Sequence, residues 1–323
     1  MPAAFNRYSI YAADLGGILL TDISDQGVRS NSRRSIVIPG GSVHPRAVVL
    51  CCADPVLQLS TKDLAGLFGG SPAIGSSFGY GVDTAAASPT DPAILQFQRR
   101  TDGGTFEAAG DLDHVVGTVN KGFLHVTDIT AAQDDVNGVR VSLDFNLLSA
   151  DGLTQPVTFS NAAVLTGLPA FDGIWYMGPV RIGTHGGSTT LLPGVQRTVV
   201  RPMIAFRNPR GDGQVFATNG SIHSIPAEIR ITTADFGSTS WILNNMFGQD
   251  QAAAGGNFNI FYWKGVHGGA RVAAATAVHY MVTAATGATF TEDVSVREIE
   301  DGMAEIVIVP TGGITISANQ AIN

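Results

Sequence analysis

Residues 103–128 read GGTFEAAGDLDHVVGTVNKGFLHVTD, and residues 268–293 read GGARVAAATAVHYMVTAATGATFTED. Laid over one another at a constant shift of 165 positions, eight of the 26 pairs are identical, among them His114/His279, Thr118/Thr283, Gly122/Gly287 and Asp128/Asp293. A chain this rich in Gly and Ala would give about two or three identities by chance. An ungapped match at fixed spacing argues for an internal repeat, which outranks any local signal in deciding the fold.

The match extends outward. At the same shift Val139, Val141 and Leu143 meet Ala304, Ile306 and Ile308, and Phe97 meets Tyr262. Near the ends, Val157–Ser160 resembles Ile314–Ser317, and Tyr11 meets Tyr176. Upstream, Leu57–Leu64 resembles Ile229–Phe236 at a shift of 172, and each copy then reaches a Phe-Gly pair, Phe68-Gly69 and Phe247-Gly248. Loop insertions explain such changes of shift. Two domains follow, residues 1–165 and 170–323, joined by the short linker Leu165–Pro169. A length of 323 residues carries the same expectation.

The texture is β. Ser35–Ile38, Ala47–Leu50, Thr198–Val200, Asn257–Trp263 and Glu305–Val309 are short runs rich in β-branched and aromatic residues, bounded by turn formers. Val139–Phe145 alternates apolar and polar residues, as a half-buried strand must. Helices are few. Thr61–Phe68 reads as a short helix capped by Thr61, with Leu64, Leu67 and Phe68 on one face. Its counterpart falls near Ser240–Phe247, with Trp241, Leu243 and Phe247 turned inward. The expected fold is therefore mainly β: two tandem β-sandwich or barrel domains, each with one short flanking α-helix and long loops.

The repeat is broken at one place. Phe68 to Gly103 spans 35 positions and Phe247 to Gly268 spans 21, so the first copy carries 14 more residues. The extra stretch is a Gly-rich arm at 69–92 in which Phe78 and Tyr80 stand among glycines. A loop of that length is usually functional or disordered; an ordinary flexible loop and an arm that reaches a neighbouring subunit, with Phe78 and Tyr80 as its contacts, both stay open. Arg207–Gln214 reads as the turn of a hairpin in the second copy.

Hydrophobic residues make up 44% of the chain and charged residues 14%. A free soluble surface usually needs about a quarter charged residues, so large protein–protein contacts are expected. Net charge is −8, with ten Lys/Arg against sixteen Asp/Glu through Leu165 and nine against eleven after it. Such a chain is poorly suited to grip nucleic acid, but an acidic wall lets a polyanion slide past. The adjacent Cys51 and Cys52 point to opposite faces of a strand and read as buried small apolar residues. The N-terminal residues lack the apolar core of a signal peptide, and no run is long enough to span a membrane as a helix.

Catalytic chemistry leaves no signature. No phosphate-binding loop, nucleophile elbow or zinc-helix motif occurs. His114 and His279 hold equivalent places in β-like stretches, where a scaffold role is expected. Asp111/Asp113 and Asp134/Asp135 lack the rest of a calcium loop and read as solvated charges. Glycosidase carboxylates have no local spacing rule, yet nothing here favours them. The expectation is no enzyme, no cofactor, no catalytic residues and no metal.

In length, duplication, low charge and acidity the chain resembles the tail tube proteins of long-tailed bacteriophages. The likeness is carried by Ile229–Asp235, preceded by Pro226-Ala227-Glu228, and by its echo at Leu57–Asp63. It implies a β-sandwich with a flanking helix, assembled in rings around a DNA channel. In relatives with two fused copies the ring is a trimer with pseudo-sixfold symmetry. The implied partners are further copies of the chain, other phage tail proteins, and viral DNA or a tape measure protein passing through the lumen without sequence-specific binding. The implied location is the virion tail, assembled in the host bacterial cytoplasm, with no membrane involved. Two other readings stay open: a baseplate hub or distal tail protein, and a carbohydrate-binding virion β-sandwich, although of the three tryptophans, Trp175, Trp241 and Trp263, the last two read as core residues.

Overall fold

A computed structural model of the chain describes residues 7–41, 43–69, 78–83, 93–101, 104–168, 173–211, 213–235, 242, 245–266, 269–297 and 300–322. The protein is a mainly antiparallel β structure of sandwich character. One five-stranded sheet runs in the order β12 (Val157–Ala163), β9 (His114–Val119), β8 (Ala93–Arg100), β1 (Arg7–Leu15), β2 (Leu19–Leu20). Another runs β24 (Ile314–Gln320), β21 (His279–Ala284), β20 (Phe258–Gly265), β13 (Ile174–Gly183), β14 (Thr189–Leu192).

A ten-stranded sheet belongs to both halves of the chain. Its second-half strands are β19 (Gln249–Asp250), β22 (Gly287–Arg297), β23 (Glu300–Pro310), β18 (Glu228–Thr233) and β15 (Val195–Arg201), in that spatial order. The sheet continues through β10 (Lys121–Ala132), β11 (Arg140–Leu147), β6 (Val56–Thr61) and β3 (Ile23–Arg29), with β7 (Gly79–Asp83) paired to the start of β10. Two hairpins complete the strands: β4 (Arg33–Val37) with β5 (Ala47–Cys52), and β16 (Ala205–Arg207) with β17 (Ser221–Ser224).

Alternation does the sorting. In β11, Val141, Leu143 and Phe145 are buried while Arg140, Ser142 and Asp144 face away, as the period-two pattern predicts. The buried residues of all three large sheets, from Leu15, Leu95 and Leu143 to Ile231, Ile260 and Ile308, form one connected cluster. Full burial of each such side chain stabilises the fold by about 1.5–3 kcal/mol. The core is continuous across the two halves rather than divided between them.

Among the described residues there is one helix, α1 (Leu64–Gly69), and it buries Leu64, Leu67 and Phe68 as its apolar spacing predicts. Its cap is Asp63 and not Thr61. Asp63 Oδ1 accepts the Gly66 N–H at 2.8 Å, whereas Thr61 ends β6 and its hydroxyl accepts the Asp63 N–H at 3.0 Å. Asp63 is two positions closer to the first turn, so its carboxylate reaches the orphan donors. The expected second helix falls mostly outside the described residues, including Trp241 and Leu243. Phe247 is 99% exposed, so it does not pack inward; Ile242 and Asn245 are the buried residues there.

Candidate self-association surface

The two halves repeat more than strand order. β3–β6 and β15–β18 pair in the same register, Val28 with Leu57 and Val200 with Ile229, and each has its bulge at the same place, after Ile23 and after Val195. Thr61 Oγ1 donates to the Thr21 carbonyl at 2.9 Å, and Thr233 Oγ1 donates to the Pro193 carbonyl at 2.8 Å. The hydroxyls then accept the N–H groups of Asp63 and Asp235. All six corresponding pairs stand 172 positions apart.

The equivalent histidines hold their turns in the same way. His114 Nδ1 accepts the Arg99 N–H and His279 Nδ1 accepts the Lys264 N–H, both at 3.1 Å. That assigns the proton to Nε2, which donates to the Ala108 and Ala273 carbonyls at 2.7 and 3.2 Å. Both rings are fully buried. They are scaffold bonds joining a strand to a loop. Burial holds the His279 imidazole below its ordinary value; the Ala273 carbonyl opposes this and the Lys264 charge adds to it.

The halves meet along one strand joint. Ile129, Thr130, Ala131 and Ala132 of β10 pair with Val200, Val199, Thr198 and Arg197 of β15. The β16–β17 hairpin then reaches back over the first half. Phe206 stacks on Phe123, centroids 4.6 Å apart and planes within 4°, and Lys121 Nζ donates to Asn219 Oδ1 at 3.3 Å. Ala217 accepts the Ser149 N–H, Gly152 accepts the N–H groups of Val215 and Phe216, and Arg210 pairs with Asp54. The Asp54 carboxylate raises the Arg210 guanidinium further above its already high ordinary value.

The β4–β5 hairpin has the same construction without that seat. Arg34 pairs with Leu50 and Ser35 with Val49 after a bulge, as Phe206 pairs with Ile222 and Arg207 with Ser221 after a bulge. Ile36, Val37, Ile38, Val48, Val49 and Leu50 are all exposed, Ile36 to 59%. So many exposed aliphatic side chains on the two faces of one ribbon are more than a solvated hairpin usually shows. The cysteines lie here: Cys51 is exposed and Cys52 half-buried, which corrects the expectation of two core residues. A two-stranded ribbon standing off the body has no core to bury them in.

Two sheet edges are open in complementary fashion. β3 closes the ten-stranded sheet at one end and pairs only with β6 among the described residues. At the other end β19 covers only Ala288 and Thr289 of β22, so Asp293–Arg297 have no strand on their outer side among the described residues. Those positions are the counterparts, at a shift of 165, of the β10 segment that pairs with β15. Open edges of this kind invite pairing with another chain.

The polar face of the ten-stranded sheet carries Asp128, Asp144, Glu228, Glu292, Asp293 and Glu305 with Arg140, Arg197, Arg201 and Arg230; Arg201 lies opposite Glu228, 3.5 Å from its carboxylate. Arg230 is hydrogen-bonded to Glu228 at 2.6 Å and to Glu292 and Glu305 at 2.9 Å, bonds that raise its guanidinium above the ordinary value. Asp128 Oδ1 accepts from Ser142 and Thr130, and Asp144 from Gln58.

Phe78, the arm's candidate contact with a neighbouring subunit, lies instead in the chain's own core, 1% exposed and edge-on to Phe68 at 6.2 Å. A large apolar ring among glycines folds inward when a helix offers it a face. Tyr80 sits on β7 opposite Leu124, and its side chain lies outside the described residues, as does most of the 69–92 arm. Trp175 is buried edge-on to Tyr280 at 5.3 Å, and Trp263 donates to the Val272 carbonyl at 2.6 Å. Asp113 pairs with Arg99 at 3.1 Å, and Asp111 and Asp135 accept turn N–H groups. Among the described residues no cluster of three His, Cys, Asp or Glu could hold a metal ion, and no helix is long and apolar enough to cross a membrane. The β4–β5 surface was legible in principle: Ser35–Ile38 and Ala47–Leu50 are apolar at every position but one, where a half-exposed strand alternates.

No protein-family model matches the chain, and no curated protein matches it.

Proposed function

We propose that this protein is a virion structural protein that assembles with copies of itself into stacked trimeric, pseudo-hexameric rings and forms a phage tail tube through which DNA is ejected. One observation carries the reading: two halves with the same strand order share a single continuous sheet whose two ends are left open in complementary fashion. A contact of that sort joins unlike surfaces, and repeating it produces a ring when the rotation closes. Ring closure removes the open edges that would otherwise promote aggregation.

In such a ring the polar face of the ten-stranded sheet lines the lumen. Asp128, Asp144, Glu228, Glu292, Asp293 and Glu305 stand there beside Arg140, Arg197, Arg201 and Arg230. Arg201 and Arg230 are tied to carboxylates and Arg140 to the Ser60 hydroxyl, so these side chains offer a passing polyanion little cationic grip. Trp175 is buried in the core and has no face free to stack on a sugar, whereas Trp263 is half-buried and lines an open depression.

The test is negative-stain electron microscopy of the purified chain at high concentration with an assembly seed. Hollow tubes with a regular axial repeat and three-fold rings are the expected result. Isolated rings that never stack would favour a baseplate hub, and persistent monomers would overturn both.

A further inference from the structure

Resting on the ring reading, we propose that the contact between neighbouring copies reproduces the joint already present inside each chain. The free end of β22 pairs with β3 of a second copy, and the exposed β4–β5 hairpin of that copy seats on the first copy's second half.

The register follows from the repeat. Inside the chain Ile129 pairs with Val200 and Thr130 with Val199. Shifting the first member of each pair by 165 and the second by 172 puts Val294 opposite Val28, Ser295 opposite Gly27, Val296 opposite Gln26 and Arg297 opposite Asp25. Val28 and Val294 are both exposed in the single chain, at 39% and 36%. A one-residue slip would place the apolar pair on the wrong face, so the register is specified.

The seat follows from the same shifts. Phe206 rests on Phe123 inside the chain. Phe206 corresponds to Arg34 and Phe123 to Ala288. Beside Ala288 lies an open depression of about 570 Å³ lined by Thr286, Gly287, Ala288, Asp250, Asn257 and Thr311. The second half has Ala288 where the first has an aromatic ring. It also joins β23 to β24 through three residues, 311–313, where the first half joins β11 to β12 through nine, 148–156, some of which contact the internal hairpin. Smaller residues and a shorter loop leave room, and the β4–β5 hairpin supplies bulk: Ile36, Val48 and Leu50 stand on the same face as Arg34. Asp250, paired in register with Ala288, offers a carboxylate to Arg34. The occupant of the depression is therefore a second copy of this chain.

The experiment uses full-length protein with Cys51→Ser and Cys52→Ser and carries Val28→Cys with Val294→Cys. Directly opposed residues of an antiparallel pair lie close enough for a disulfide. The two positions sit at opposite ends of one sheet, so a bond between them must be intermolecular. Seeded assembly followed by mild oxidation is read on a non-reducing gel and by electron microscopy. The expected result is a covalent ladder that stops at a closed trimer. Ile36→Asp or Ala288→Trp should lower the cross-linked fraction at least tenfold while leaving the circular dichroism and melting of the monomer unchanged. Rings or tubes that form without cross-links would overturn this joint and leave the ring reading standing. A chain that never assembles, even unmodified and seeded, would overturn both.

Discussion

The two hairpins of this molecule share pairing, bulge and place in their halves, yet one is seated and the other stands free. The β16–β17 hairpin lays Phe206 on Phe123 and ties its loop to the first half through Ser149, Gly152 and Asp54. The β4–β5 hairpin shows solvent six contiguous large aliphatic residues. Where the chain supplies a seat, the hairpin carries one aromatic anchor amid polar residues. Where it supplies none, the ribbon is more apolar, the reverse of what a permanently solvated ribbon needs. The difference teaches that an apolar ribbon and a covered ribbon need not coincide within one chain: burial follows the seat, not the hairpin.

The core offers the largest break in that comparison. Leu143→Ala and Ile306→Ala replace buried residues with equivalent pairings in the two halves, opposite Leu59 and Ile231, and each should cost about 2–5 kcal/mol. Because one cluster runs through both halves, both changes should shift one urea transition, seen alike by circular dichroism and tryptophan fluorescence. Two separable transitions, with each substitution moving its own, would show that the halves fold independently.

Phe206→Ala comes next. It removes the stack on Phe123 from a half-buried ring and should cost about 2 kcal/mol in the denaturation midpoint of the monomer. The equivalent change on the free hairpin, Ile36→Ala, should move monomer stability by less than about 0.5 kcal/mol, since it touches only solvent there. If both substitutions cost the same, the seated and free hairpins are not the pair they are taken to be.

Between these sits a pH effect. Burial, the larger cause in each, depresses His279 and also His125, where Asp144 partly opposes it. The unfolded chain takes up protons near the ordinary value of 6.5 while the fold resists. The stability these groups contribute is therefore full above that value and is lost as pH falls through their lower folded values. The urea midpoint should drop between pH 7 and pH 5, and the slope should be shallower in His279→Ala. That variant also starts lower by about 1–3 kcal/mol, because the Lys264 N–H and the Ala273 carbonyl lose their partner.

Much of the local pattern was legible in the sequence. Alternation at Val139–Phe145 marked a half-buried strand, and Leu64, Leu67 and Phe68 marked the apolar side of a helix. His114 and His279 were read as scaffold residues from their equivalent positions. The cap of α1 went one way in sequence and another in space, because both Thr61 and Asp63 are good caps and only the turn geometry chooses between them. Phe78 and Cys51 were exchanged for the same reason. Residue type says that a ring or a thiol can be buried, but not whether the fold brings a face to cover it.

By itself the sequence determined the β character and the alternation that sets each strand's two faces, and it pointed to a correspondence of the halves, although β23 follows β11 at a shift of 163 and not the expected 165. These are local and periodic properties, and each is written in neighbouring residues. Only the tertiary structure decided that β10 joins β15 so that both halves share one sheet, that one hairpin finds a seat and the other does not, and that the open edges stand at opposite ends. Those outcomes depend on contacts between residues far apart in the chain. Which distant surface covers an apolar face is settled by shape and packing, and no periodicity records it.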